Sequence, residues 1–248
     1  MASLASSSVL LNLLFIVSAL HLGAAAARIL SEKEDQQQLQ FQYHKGPLLS
    51  GNISVNLIWY GSFKPSQRAI ISDFITSLSS SPKSTAQPSV ATWWKGTEKY
   101  YQLIKSAPKP SLTLALGAQI LDENYSLGKS LTTDNIVSLA SKGSPKEVIN
   151  VDLTSLDVTV EGFCSSRCGT HASSADHHKF AYGSVTAPLE AVSACAGIFG
   201  KGAYPGYTGN VLVDNVTGAS YNALGLHGRK FLLPAMWDPV TSTCKTLV

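Results

Sequence analysis

The chain lacks the short motifs that announce common catalytic chemistries. It has no Gly-x-Ser-x-Gly, so no nucleophile elbow is expected. It has no His-Glu-x-x-His, which excludes a helix-borne hydrolytic zinc site. Its Gly-rich stretch, Gly197 to Gly209, does not end in the Lys-Ser/Thr that cradles phosphates, and reads as a surface loop. Charge is also scarce: 14% of residues are charged, and the net charge of +3 is spread along the chain rather than clustered. That distribution implies no nucleic-acid partner. After the first 27 residues there is no long apolar run, and no hydrophobic tail that a lipid-anchor signal would need.

The one long apolar run lies at the start. Val9 to Leu22 is almost wholly apolar, the small residues Gly23 to Ala27 follow, and Arg28 is the first basic side chain. An apolar stretch ending in an Ala-x-Ala site predicts a secretory signal peptide over 1–27, cleaved after Ala26 or Ala27. The expected product has no membrane segment. Residues 28–45 are polar and Gln-rich, with little to bury, and are expected to form a flexible leader. Residues 46–248 suit a single domain with a real core.

Export decides how the four cysteines are read. In an oxidising compartment, an even count predicts disulfides rather than thiol chemistry. Three pairings are open in principle. The favoured one joins Cys164 to Cys168 in a short loop and Cys195 to Cys244 near the C-terminus. The run Cys164-Ser-Ser-Arg-Cys-Gly-Thr-His171 could suggest zinc, but no second ligand pair follows at a suitable spacing. His177 and His178 lie in a polar run that fixes them on no single element, and solvation is the simpler reading. No metal or cofactor is expected. Sequons at Asn52, Asn124 and Asn215 fit an exported glycoprotein.

Hydrophobic periodicity predicts an α/β fold. A strand is expected from Asn52 to Trp59, where Ile53, Val55, Leu57 and Trp59 alternate with polar residues. A helix is expected from Ser66, its N-cap, to Ser79, and a second helix over 89–105. Strands over 111–116, 147–153 and 156–161, a helix over 134–141, a strand at Lys179–Tyr182 and a short helix near 188–195 complete the pattern. This order implies a mixed, largely parallel sheet flanked by helices, followed by a loop-rich, disulfide-stapled C-terminal part.

No catalytic set emerges. Asp134, Asp152, Asp157 and Glu161 could serve as glycosidase carboxylates only if the fold set two of them at a suitable separation. The aromatics Trp93, Trp94, Tyr100, Tyr101, Tyr204, Tyr207 and Trp237 offer flat faces for sugar rings. Trp93 and Tyr101 fall on an apolar helical stripe and read as core. Tyr204 and Tyr207 sit among glycines and prolines on a loop and are the better ligand-contact candidates.

Several longer motifs carry a resemblance. Tyr43-His-Lys-Gly-Pro-Leu-Leu49, Asn56-Leu-Ile-Trp-Tyr-Gly61, Phe63-Lys-Pro-Ser-Gln-Arg68, Pro88-Ser-Val-Ala-Thr-Trp-Trp94, Val160-Glu-Gly-Phe-Cys164 and Gly200-Lys-Gly-Ala-Tyr-Pro-Gly-Tyr207 are similar to the EXORDIUM (phosphate-induced protein 1) family of land plants. The likeness covers nearly all of the mature chain. It implies a secreted protein of the apoplast or cell wall, linked to growth, cell expansion and brassinosteroid or nutrient responses. The family carries no established catalytic residues, so the resemblance implies a non-enzyme whose partner is a wall polysaccharide or a cell-surface protein. A hydrolase or transferase acting on wall polymers is the alternative. Family members continue beyond the Lys-Phe-Ala-Tyr182 strand with a long segment bearing another cysteine pair. Here Gly183-Ser-Val-Thr186 leads straight to Ala187-Pro-Leu-Glu-Ala191, so an internal segment between 182 and 188 is expected to be missing. The chain would then be a truncated copy, with apolar surface uncovered.

Overall fold

The computed structural model describes residues 48–79, 86–104, 111–143, 148–163, 169–173, 181–182, 195, 197–199 and 211–248. All lie within the unit Phe41–Val248. The expected signal peptide and leader, the junction between 182 and 188, and the helix near 188–195 apart from Cys195 lie outside the described residues.

The first strand, β1 (Gly51–Tyr60), is the centre of the fold. Its length follows from the β-branched and aromatic run Ile53 to Tyr60, and Val55 to Tyr60 are all buried. Both faces of β1 are covered, so the polar residues in the alternation do not all meet water. Asn56 is 3% exposed and has hydrogen-bond partners on both sides. Its Nδ2 donates to Asn150 Oδ1 at 2.9 Å, and its Oδ1 accepts from the Ala118 amide at 2.8 Å. The second contact falls where β2 (Leu112–Asp122) shifts register against β1, between Val55 and Leu57. The buried amide thus satisfies a backbone donor that the irregularity releases.

Two helices connect β1 to its parallel neighbour β2. The first, α1 (Pro65–Leu78), starts one residue before the expected Ser66 cap. Pro65 stands at the first helical turn, where its missing N–H costs nothing, and Gln67 Oε1 accepts from the Lys64 amide at 2.8 Å. The second expected helix is divided. It runs as α2 (Val90–Lys95), capped by Ser89 Oγ on the Thr92 amide at 3.2 Å, and continues as a 3-10 helix over Gly96–Leu103. At the junction Gly96 packs closely, since an added Cβ would stand 3.1 Å from Met236 Cε. Close packing there and the bond from Thr97 Oγ1 to the Trp94 carbonyl at 2.7 Å accompany the tighter winding.

The chain then crosses back. After the short β3 (Ser130–Leu131), α3 (Thr133–Ala140) is capped by Thr132 and Asn135, which bond each other's backbone amides. It leads to β4 (Val148–Thr154), parallel to β1 on the side opposite β2. Because the crossover direction reverses at β1, α1 and α2 pack on one face and α3 on the other. The first face buries Ile53, Val55, Leu57 and Trp59 with Leu78 and Val90. The second joins Tyr60 to Leu131, Ile136, Leu139 and Ala140. Burial on this scale contributes about 1.5–3 kcal/mol per large apolar side chain.

The sheet is mixed rather than uniformly parallel. Its order is β2-β1-β4-β7-β6, where β7 (Ala181–Tyr182) runs parallel to β4 and β6 (Ala172–Ser173) antiparallel to β7. The strand expected over 156–161 shrinks to β5 (Thr159–Val160), which pairs with β3 outside the main sheet. The C-terminal part forms short antiparallel pairs: β8 (Leu212–Val213) with β9 (Ser220–Tyr221), β10 (Ala223–Leu224) with β11 (Lys230–Phe231), and β12 (Met236–Asp238) with β13 (Thr243–Lys245). Asn222 holds the turn between them, accepting from the Leu233 amide at 2.8 Å and donating to the Leu233 carbonyl at 2.7 Å. Among the described residues no helix is long and apolar enough to cross a membrane.

Candidate functional site

A cleft of about 380 Å³ opens between α2 with its 3-10 extension and the β12–β13 hairpin. Ligand sites typically occupy about 300–1,000 Å³. Two indole rings, Trp93 and Trp237, contribute to its lining, and three lysines, Lys95, Lys99 and Lys245, surround them. Trp93 is fixed by its Nε1, which donates to the Pro234 carbonyl at 2.7 Å, and by ring contacts with Phe74 and Trp94. The other wall is held covalently, because Cys244 on β13 is disulfide-bonded to Cys195 with a Cα–Cα distance of 5.8 Å.

Among the described residues the cleft is lined by one carboxylate, Asp238. Lys99 Nζ donates to its Oδ2 at 2.5 Å, and the amides of Val240 and Thr241 donate to its Oδ1. Burial alone would push the Asp238 carboxyl up, but these donors hold it below the usual carboxylate range. Behind the pair, Tyr100 donates its hydroxyl to the Trp237 carbonyl at 2.8 Å. Burial, and then the Asp238 charge, push this phenol up to about 12, so it stays a donor. Lys95 and Lys245 are exposed, and among the described residues neither side chain has a hydrogen-bond or ion-pair partner. The cleft can therefore offer flat apolar faces and two available ammonium groups, but no free carboxylate.

Most other polar clusters among the described residues are closed upon themselves by hydrogen bonds and ion pairs. Asp157 accepts from Lys129, Ser155 and Tyr125, which lower its pKa. Asp122 is held below its usual range despite its burial, because Lys142 and Ser126 donate to it. Asp73 on α1 accepts from His227 Nδ1 at 2.5 Å and lies 3.4 Å from Arg229 Nε, tying the helix to the loop after β10. Asp152 differs: both its oxygens are buried without a hydrogen-bond partner, and burial pushes it up to about 7.

The carboxylates considered from sequence are spread over separate elements. Asp134 lies in the first turn of α3, Asp152 on β4, Asp157 in the turn before β5, and Glu161 just after β5. None lines the cleft. Among the described residues no group of three His, Cys, Asp or Glu side chains could hold a metal. The asparagines of the sequons, Asn52, Asn124 and Asn215, are all exposed. Cys164, Cys168, His177, His178, Tyr204 and Tyr207 lie outside the described residues. Of the aromatics picked out by sequence, the cleft gathers Trp93 and Trp237 but not Tyr101, whose hydroxyl reaches the Leu49 carbonyl. The lysines were missed because 95, 99 and 245 form no cluster along the chain. Only the hairpin brings the last beside the others.

A family model described as "Phosphate-induced protein 1 conserved region" matches residues 41–188 and 177–247. The chain belongs to the phosphate-induced protein 1 family. Within this family it is 47% identical to "Protein PHOSPHATE-INDUCED 1" of Nicotiana tabacum over 315 aligned positions, covering 99% of this chain and 100% of that protein. It is also 47% identical to "Protein EXORDIUM" of Arabidopsis thaliana over 309 positions, covering 96% and 98% of the two. "Protein EXORDIUM-like 1" of the same plant is 45% identical over 305 positions, covering 94% and 99%. This phosphate-induced protein 1 family member has 248 residues, so the alignment of 315 positions includes many where the tobacco protein has a residue and this chain has none. No solved structure matches the chain.

Proposed function

We propose that this family member is exported to the apoplast or cell wall, and that it promotes growth and cell expansion by binding a wall glycan or a surface partner without turnover. The supporting observation is the cleft between α2 and the β12–β13 hairpin, whose indole rings suit the CH faces of a sugar. The Cys195–Cys244 bridge and three exposed sequon asparagines are in keeping with export. Tyr204 and Tyr207 add two further aromatic candidates. Glycan-array binding by the full chain tests this reading. Binding should be lost on Trp237→Ala with the fold intact, and no product should form. An array with no bound glycan would overturn the glycan reading and leave the surface partner, and turnover of a glycan would overturn both.

A second reading, hydrolysis or transfer on wall polymers, draws on Asp152. A buried carboxyl held at about 7 keeps its proton in mildly acidic medium, as a general acid must. Product release from a panel of wall polysaccharides, abolished by Asp152→Asn, would support it.

We also propose that a segment between 182 and 188 has been lost. The two family-model matches overlap at 177–188, which supports that place, and the 315-position alignment with the tobacco relative, longer than this chain, is in keeping with a loss. Transcript sequencing across codons 182 to 188 tests the loss. A copy restored with the relative's segment should be secreted in higher yield and melt higher.

A further inference from the structure

Glycan binding leaves the chemistry of the sugar open, and the charges of the cleft narrow it. Three lysines line it against one aspartate. Lys99 and Asp238 neutralise each other at 2.5 Å, and Asp238 is only 3% exposed, so that pair is spent within the wall. Two exposed cations, Lys95 and Lys245, have side chains without a partner among the described residues and stand on opposite sides: one ends α2, the other ends β13. The lining also includes Trp93, Trp237, Thr92 and Thr246. Indoles offer apolar faces to a pyranose ring, hydroxyls suit its substituents, and ammonium groups demand an anion. The hairpin wall is tethered by the Cys195–Cys244 bond, so Lys245 stands on a braced wall.

We propose that this cleft binds an acidic sugar, a uronate unit of an oligosaccharide, whose carboxylate is held by Lys95 and Lys245 and whose ring lies against indole. The proposal rests on the glycan-binding reading above and names its ligand class. Lysines suit this ligand: as exposed point charges they accept a partly hydrated carboxylate from more than one direction. A polyanion held by overall charge is a poor alternative, since the chain carries only +3. A volume near 380 Å³ admits one or two sugar rings rather than a protein surface.

The test uses the full chain and a homogeneous oligogalacturonate, compared with the same oligomer fully methyl-esterified. Esterification removes the charge and keeps the ring. The acid form should bind, with quenching of tryptophan fluorescence, and esterification should weaken binding about tenfold or more. Lys95→Ala with Lys245→Ala should weaken binding of the acid form to a similar degree. Neither side chain has a partner to lose among the described residues, so melting should be unchanged. Arg68→Gln with Lys129→Gln removes the same charge elsewhere and should leave affinity unaltered. If ester and acid bind equally, the acidic-sugar assignment fails while glycan binding stands. If the distant pair weakens binding as much as the cleft pair, attraction is diffuse and the assignment fails. If neither oligomer nor any neutral glycan binds, both readings fail together.

Discussion

Lys99 Nζ lies 2.5 Å from Asp238 Oδ2, joining the 3-10 helix to a hairpin 139 residues later in the chain. Asp238 is 3% exposed on its side chain and Lys99 41%, so the buried partner depends on the more exposed one. Lys99→Met should leave a buried carboxylate with only two backbone donors. We expect a loss of about 1–3 kcal/mol, below that of a fully buried pair because water reaches the lysine. Denaturant unfolding of the two proteins checks it. An unchanged midpoint would show that the pair contributes nothing.

Asp152 predicts an unusual pH dependence. Its folded pKa of about 7 lies above the ordinary value of 3.8, because burial disfavours the charged form. The folded state therefore holds a proton that the unfolded state releases between these values. The sign follows: stability contributed here is present below about pH 4 and is lost as pH rises toward 7, by on the order of 4 kcal/mol at most. Asp122 and Asp238, held low, act only on further acidification. Asp152→Asn should be more stable than the parent at pH 7.5, and the difference should shrink by pH 4.5. Parallel melting curves at both pH values would contradict this.

The Cys195–Cys244 bridge closes a loop of 49 residues and braces the wall of the cleft. Cys195→Ala with Cys244→Ala should cost about 3–4 kcal/mol in the chain-entropy view. The expected readout is a lower urea midpoint, with loss of the tryptophan signal from the hairpin before global unfolding.

Gly61 follows β1 directly, at φ +95°. A Cβ there would stand 2.0 Å from Ser155 Oγ and 3.0 Å from the Tyr125 ring. Gly61→Ala should destabilise by about 2–4 kcal/mol, combining backbone strain with collision. Gly128→Ala, also at positive φ but with open space around it, should cost less. Equal losses would show that strain alone decides both sites.

Periodicity read the framework well because β1, α1, α3 and β4 bury continuous apolar faces. It misplaced the start of α1 by a residue, since Pro65 can open a helix without a side-chain cap. It joined α2 to the 3-10 helix, since an apolar stripe such as Trp93 and Tyr101 does not distinguish the two windings. Asn56 looked like the wet half of an alternating strand. Only the second helical layer shows that it is dry and bonded to Asn150.

What the chain determined by itself was local: which segments repeat at two or at 3.6 residues, where caps and turns fall, and, through long motifs, membership of its family. The cleft belongs to the tertiary structure alone. Lys95 and Lys245 are neighbours of one cavity because the Lys99–Asp238 ion pair and the Trp93–Pro234 hydrogen bond hold the C-terminal hairpin against α2 and its 3-10 extension. Charges far apart in sequence acquire a shared field only when the backbone brings them together, and no spacing rule records that in advance.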